Sequence, residues 1–170
     1  MERFQWSKER RRRVVSHNLS SNTGVSSQEG AVVRAFLTAL ESQDFHRMEA
    51  CFHPDIHFRA LVPAGVREVV GPQEAVDWLQ KWFGKADAFA LMKAEIDSIA
   101  NRWRIAYRIR LQRMDGWRVI EQQAFCTVKQ GLIERMDVLC SGFLPAPEAS
   151  YQVANRETIL ASWKRIESRG

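Results

Sequence analysis

The sequence predicts an α+β domain in which three N-terminal helices pack on a curved, mostly antiparallel sheet to form a cone, followed by a C-terminal helix. Up to Gly84 apolar residues recur mainly at helical spacing; beyond it the period drops to two and stays there to about Cys140. Turn signals at Asp115-Gly116 and Gln130-Gly131, with a weaker one at Ala100-Asn101, cut that second half into hairpins.

Val32, Val33, Phe36, Leu37 and Leu40 make residues 28–42 an amphipathic helix, broken at Ser42-Gln43-Asp44. Phe45, Met48 and Phe52 form the face of a short second helix, which Pro54 ends because proline disfavours helical geometry at His53. Ile56, Phe58 and Ala60 alternate with His57 and Arg59, a strand pattern, and a second short strand is expected at Val66 to Val70. Pro72 suits the first position of a third helix, whose buried stripe is Val76, Leu79, Trp82 and Phe83. Strands follow at about 89–99, 102–113, 117–129 and 132–140, and Pro145 and Pro147 close the sheet. A last amphipathic helix, about 151–167, presents Ile159, Leu160, Trp163 and Ile166.

The 170 residues suit one domain with tails: a basic, polar N-terminal arm at 1–27, the cone at 28–146 and the C-terminal helix within 147–170. The net charge of +5 belongs to the ends, since residues 14–150 hold 15 basic against 16 acidic residues. A specific nucleic-acid domain would need a basic face of its own, so that class is set aside. No apolar run approaches the ~20 residues that cross a bilayer, and the charged start reads as no secretory signal. Cys51, Cys126 and Cys140 show no metal-ligand spacing and read as reduced thiols of a cytoplasmic protein without a metal or other cofactor; no phosphate loop or dinucleotide fingerprint is present.

Turns fix register, and register decides which residues share a face. If Met114 pairs with Trp117, Lys129 with Leu132 and Ile99 with Arg102, one apolar face carries Trp103, Ile105, Tyr107, Ile109, Ile120, Gln122, Ala124, Ile133, Arg135, Asp137 and Leu139. Cys126 and Cys140 then lie on opposite faces, and Phe125, Met136 and Val138 form an outward patch suited to a homodimer through the outer sheet face. Tyr107, Ala94, Ala124 and Asp137 share one row, where two alanines leave space beside a phenol and a carboxylate. A buried carboxylate must be paired, protonated or solvated. Arg135, two residues before Asp137, is its expected partner in a structural pair; the alternative is a pocket floor of phenol, amide and carboxylate. Trp103, Gln122, Arg135, His57 at the mouth and Trp82 on the third helix are the candidate ligand contacts, with Asp137 and Tyr107 as candidate catalytic groups. For His57 the alternative is a surface position, and for Trp82 core packing.

The order helix, helix, strand, helix, meander resembles the nuclear transport factor 2-like superfamily, with its cystatin-like cone. The resemblance is carried by AVVRAFLTALESQD, CFHPDIHF, VVGPQEAVDWLQKWF and GLIERMDVLCSGF and covers about 28–146. It is closest to SnoaL-like, polyketide cyclase-like and ketosteroid isomerase-like domains. Ala60 stands near the isomerase's general base, and Tyr107 and Ile109 occupy the inward positions where the epoxide hydrolase of the superfamily has an Arg-x-Asp pair. Asp137 matches the acid of the last strand. The resemblance implies either a cofactor-independent isomerase, dehydratase, cyclase or hydrolase acting on a hydrophobic small molecule, or a noncatalytic ligand-binding or dimerisation domain. As general base Asp137 would need an apolar wall, and Tyr107 would hydrogen-bond a developing enolate.

Overall fold

The structure, a computed structural model, describes residues 23–146, with side chains from residue 29. The N-terminal arm up to residue 22 and the expected helix at 151–167 lie outside the described residues. The elements are α1 (Thr23–Glu41), α2 (Phe45–Glu49), β1 (Phe52–Val62), β2 (Gly65–Val70), α3 (Pro72–Phe83), β3 (Ala88–Ile99), β4 (Arg102–Arg113), β5 (Gly116–Lys129), β6 (Leu132–Cys140) and β7 (Leu144–Pro145). α1 begins at Thr23, five residues before the expected start at 28.

Local chemistry accounts for the helix limits. Asp44 caps α2 by accepting from the Arg47 backbone N–H at 3.0 Å. Pro72 occupies the first turn of α3, where a missing N–H costs nothing. Gly30 on α1 lies against Trp103, whose ring would meet a Cβ at 3.0 Å, so glycine lets the helix approach β4 closely.

The sheet runs β2-β1-β6-β5-β4-β3, antiparallel except for the parallel pair β1–β6, with β7 continuing beside β5. The helices cover one face. Phe36, Leu37 and Leu40 of α1 and Leu79 and Phe83 of α3 meet Phe58, Ile105, Ile109, Leu111 and Ile120 from the sheet, all nearly or fully buried. Burial of side chains of this size, at about 1.5–3 kcal/mol each, is the main force holding the cone together.

Two hairpins differ from their expected register. The β4–β5 turn is Met114-Asp115, and Gly116, at φ 104°, already pairs with Arg113. Pairing slides by two residues, so faces are kept but rows change: Tyr107 lies opposite Gln122, not Ala124. The β5–β6 turn forms as expected, with positive φ at Gln130 and Gly131 and Lys129 opposite Leu132. Then a β-bulge intervenes. Val128 pairs with Ile133 but Thr127 pairs with Arg135, leaving Glu134 as an extra residue.

That extra residue turns the rest of β6 over. Met136 and Val138, expected outward, are 1% and 3% exposed in the core, whereas Arg135, Asp137 and Leu139, expected inward, project from the outer face. Cys140 faces inward with Cys126, correcting their assignment to opposite faces. A second bulge lets Leu91 and Met92 on β3 both be buried.

The inversion has a measurable signature. In urea unfolding, Met136→Ala is expected to cost about 2–5 kcal/mol, as a buried large-to-small change does. Arg135→Ala is expected to cost under about 1 kcal/mol, as the loss of a surface ion pair does. A larger cost for Arg135→Ala than for Met136→Ala would contradict the bulge.

Candidate functional site

The inner face carries one polar pair within an apolar wall. Ala94, Tyr107, Gln122 and Cys140 are successive neighbours across β3, β4, β5 and β6. Tyr107 and Gln122 are 4% and 2% exposed, and the phenol O–H donates to Gln122 Oε1. Gln122 Nε2 is buried and has no acceptor. Ala94, Ala124 and Cys140 beside the pair are small side chains of the core wall. Burial, and secondarily Cys140 and Cys126, push the Tyr107 pKa far above its ordinary value. Burial also pushes the Cys126 thiol well up, with Asp137 adding to it, and raises the Cys51 thiol, where Arg47 opposes the shift. Trp103 lies on this same face, against Gly30 of α1.

Asp137 is on the other face, so it does not share a site with Tyr107. Its carboxylate accepts from Arg135 Nε at 2.8 Å and Nη2 at 3.0 Å, and Arg102 Nη1 lies 3.6 Å away. The expected Asp137–Arg135 pair therefore forms, but outside the cone. Hydrogen bonding to Asp137 holds the Arg135 pKa above its usual value. His57 lies opposite Arg135 on β1 and is exposed. Trp82 packs its ring against Trp78 and Phe58 at centroid distances of 6.0 and 6.1 Å, which makes it a core aromatic, and its carbonyl accepts from Arg113 Nη2. Of the seven expected site residues, Tyr107, Gln122 and Trp103 share the inner face, Asp137, Arg135 and His57 the outer face, and Trp82 belongs to α3.

The outer face has its own relief. A cavity of about 560 Å³ is bounded by Leu61, Leu139, Ala106 and Gln123, with Lys93, Glu95, Arg104, Arg108 and Glu121 around them and Tyr107, Gln122 and Cys140 also at its border. Leu61, Val66 and Leu139, on three neighbouring strands, are 45%, 46% and 48% exposed. The charges beside them are paired within the chain. Arg104 Nε donates to Asp97 at 3.0 Å, Lys93 meets Glu95 at 2.7 Å, and Arg108 pairs with Glu121. Of the expected patch only Phe125 faces outward; Met136 and Val138 are core. Sequence reasoning missed Leu61, Val66 and Leu139, although the three-residue step from Ile133 to Met136, followed by the two-residue step to Val138, is a phase slip that reveals the bulge.

Among the described residues no group of three or more His, Cys, Asp or Glu side chains could hold a metal ion, and no helix is long and apolar enough to cross a membrane.

The pattern of the SnoaL-like domain matches residues 33–136, well over half of the chain, and the chain belongs to this family. The fold recurs in a nuclear transport factor 2-like protein of unknown function from Burkholderia xenovorans, at 15% identity and TM-score 0.54, covering 76% of this chain and 98% of that one. An LEH-like epoxide hydrolase of Mycobacterium tuberculosis gives 16% identity and TM-score 0.54, over 85% and 98% of the two chains. AusH from Aspergillus nidulans gives 12% identity and TM-score 0.56, over 68% and 85%. At these identities the likeness is one of fold. Comparison with curated proteins gives no match.

The buried phenol makes an alkaline prediction. An unfolded tyrosine ionises near 10.0, while Tyr107 stays protonated in the fold. Above that pH the unfolded state binds fewer protons than the native one, so stability falls as pH rises. Of the chain's two tyrosines, Tyr107 is expected to yield phenolate absorbance only together with loss of the native circular dichroism signal. Its reversible titration near 10 in the native protein would contradict its burial.

Proposed function

We propose that this SnoaL-like domain binds a hydrophobic small molecule on the inner face of its cone and does not transform it. The observation that carries the reading is the state of Asp137: the acid matching the family's last-strand position is held by Arg135 and Arg102 on the outer face. It is remote from the reach that a general base needs to a substrate beside Tyr107. Tyr107 itself is engaged as a donor to Gln122 in a wall that keeps it neutral. A phenol–amide pair within apolar surroundings is suited to orienting a ligand. Free thiols at Cys51, Cys126 and Cys140 fit a reducing, cytoplasmic setting.

The test is thermal denaturation against a panel of hydrophobic small molecules, with recovery of each ligand checked by mass spectrometry. A ligand at a hundred times its Kd raises stability by about 2.7 kcal/mol. Asp137→Asn is expected to leave that ligand response unchanged, while Tyr107→Phe reduces it and itself costs about 1–3 kcal/mol by stranding Gln122 Oε1. Chemical conversion of the ligand that Asp137→Asn abolishes would overturn the reading in favour of an enzyme.

A second reading, self-association through the outer sheet face, is supported by Leu61, Val66 and Leu139 lying side by side. The charges around them, Lys93, Arg104 and Arg108 against Glu95, Asp97 and Glu121, sum to zero and are paired within the chain. Such a face attracts neither a polyanion nor a polycation, and an identical copy meets it without like-charge repulsion. Light scattering after size exclusion is expected to give twice the chain mass for the wild type and the chain mass for Leu139→Glu. An unchanged mass in the variant would count against this interface.

A further inference from the structure

We propose that the groove on the outer sheet face is filled by residues 151–167 of a second copy, so that two chains associate by exchanging their C-terminal segments. Such an exchange rests on the reading that the outer face is a contact between copies, and names the part of the partner that fills it.

Strand pairing defines the groove. Val66, Leu61, Leu139, Gln123 and Ala106 stand side by side on β2, β1, β6, β5 and β4. This row crosses five strands and is about 19 Å long at roughly 4.8 Å per strand. Longer charged side chains border it, Arg59, Asp137 and Arg104 on one side and Glu121, Arg108 and Lys93 on the other. Each border lies two residues away along the strands, which sets the borders about 13 Å apart. An α-helix with its side chains is about 10–12 Å wide. The cavity of about 560 Å³ lies along the same row.

The apolar part of the row is too small to hold two copies by itself. Leu61, Val66 and Leu139 are half-exposed, and three such side chains supply far less than the roughly 800 Å² that each partner buries in a stable interface. The sequence holds further apolar surface. On the helix expected at 151–167, Ile159, Leu160, Trp163 and Ile166 form one stripe with Trp163 at its centre. A helix of that length is about 25 Å long, enough to lie along the whole row.

The path of the chain selects whose groove it fills. Ala146 N–H donates to the Trp117 carbonyl at 3.0 Å. Trp117 and Gln123 are six positions apart on β5, so Ala146 is about 20 Å from the row. The five steps from Ala146 to residue 151 span at most about 17 Å, too short for a helix that starts at either end of its own row. In a pair offset so that the Trp117 end of one sheet faces the row of the other, only the roughly 10 Å between packed layers separates them.

Mixing two full-length variants tests the exchange, with mass read by light scattering after size exclusion. Leu139→Glu breaks the groove and Trp163→Glu the segment, and each alone is expected at the chain mass. Mixed in equal amounts they hold one intact groove and one intact segment between them. A fraction at twice the chain mass is then expected that neither variant gives alone at the same total concentration. Either variant keeping the wild-type mass would overturn the exchange; if only Trp163→Glu keeps it, the contact between copies stands. A mixture that stays at the chain mass would also overturn the exchange, as a segment lying on its own chain predicts. Wild type at the chain mass would overturn the exchange and the contact together. Should Leu139→Glu not fold, judged by circular dichroism, Leu61→Glu takes its place under the same outcomes.

Discussion

Between Ile133 and Arg135, β6 takes one residue more than the strand it pairs with, and everything beyond Glu134 is turned over as a result. Side chains alternate across a sheet with a period of two, so a single inserted residue exchanges the faces of all that follow. Here the exchange sends Met136 and Val138 into the core and puts Arg135 and Asp137 outside. Without it the core would receive a guanidinium and a carboxylate in place of two apolar side chains. Desolvating such a pair costs several kcal/mol per ion before their attraction returns any of it. Lys129, bonded to Glu134 at 2.7 Å, keeps the extra residue at the surface beside the turn.

The inner face follows from the same constraint. With Asp137 outside, the polar content of this part of the core is the Tyr107–Gln122 pair, set by the sliding of β4 against β5. The two effects are separate. The slide by two residues changes which side chains touch, and the bulge changes which side of the sheet they occupy. Together they separate the two groups that the expected register placed in one row, and they leave a hydrogen-bonding wall.

The outer face is equally a product of pairing. Arg104 with Asp97 and Arg108 with Glu121 are cross-strand partners, and Leu61 and Leu139 become neighbours because β1 runs parallel to β6. Exposed ion pairs of this kind contribute about 0–1 kcal/mol each, so they do little for stability. Their effect is on recognition, since they leave a neutral face around an apolar stripe.

The residues by themselves determined the element order, the strand limits within one residue at each end from β3 to β6, and the inward face of β1, β4 and β5. These are local properties: helical spacing, alternation, proline and glycine at the ends. The SnoaL-like family was also legible, through the order of its segments. What only the tertiary structure decided was the row in which Tyr107 lies and the side on which Asp137 lies. Both depend on how two strands slide or bulge against each other. Alternation within one strand reports its phase but not its partner's, and a bulge resets that phase at a cost only the packed core can offset.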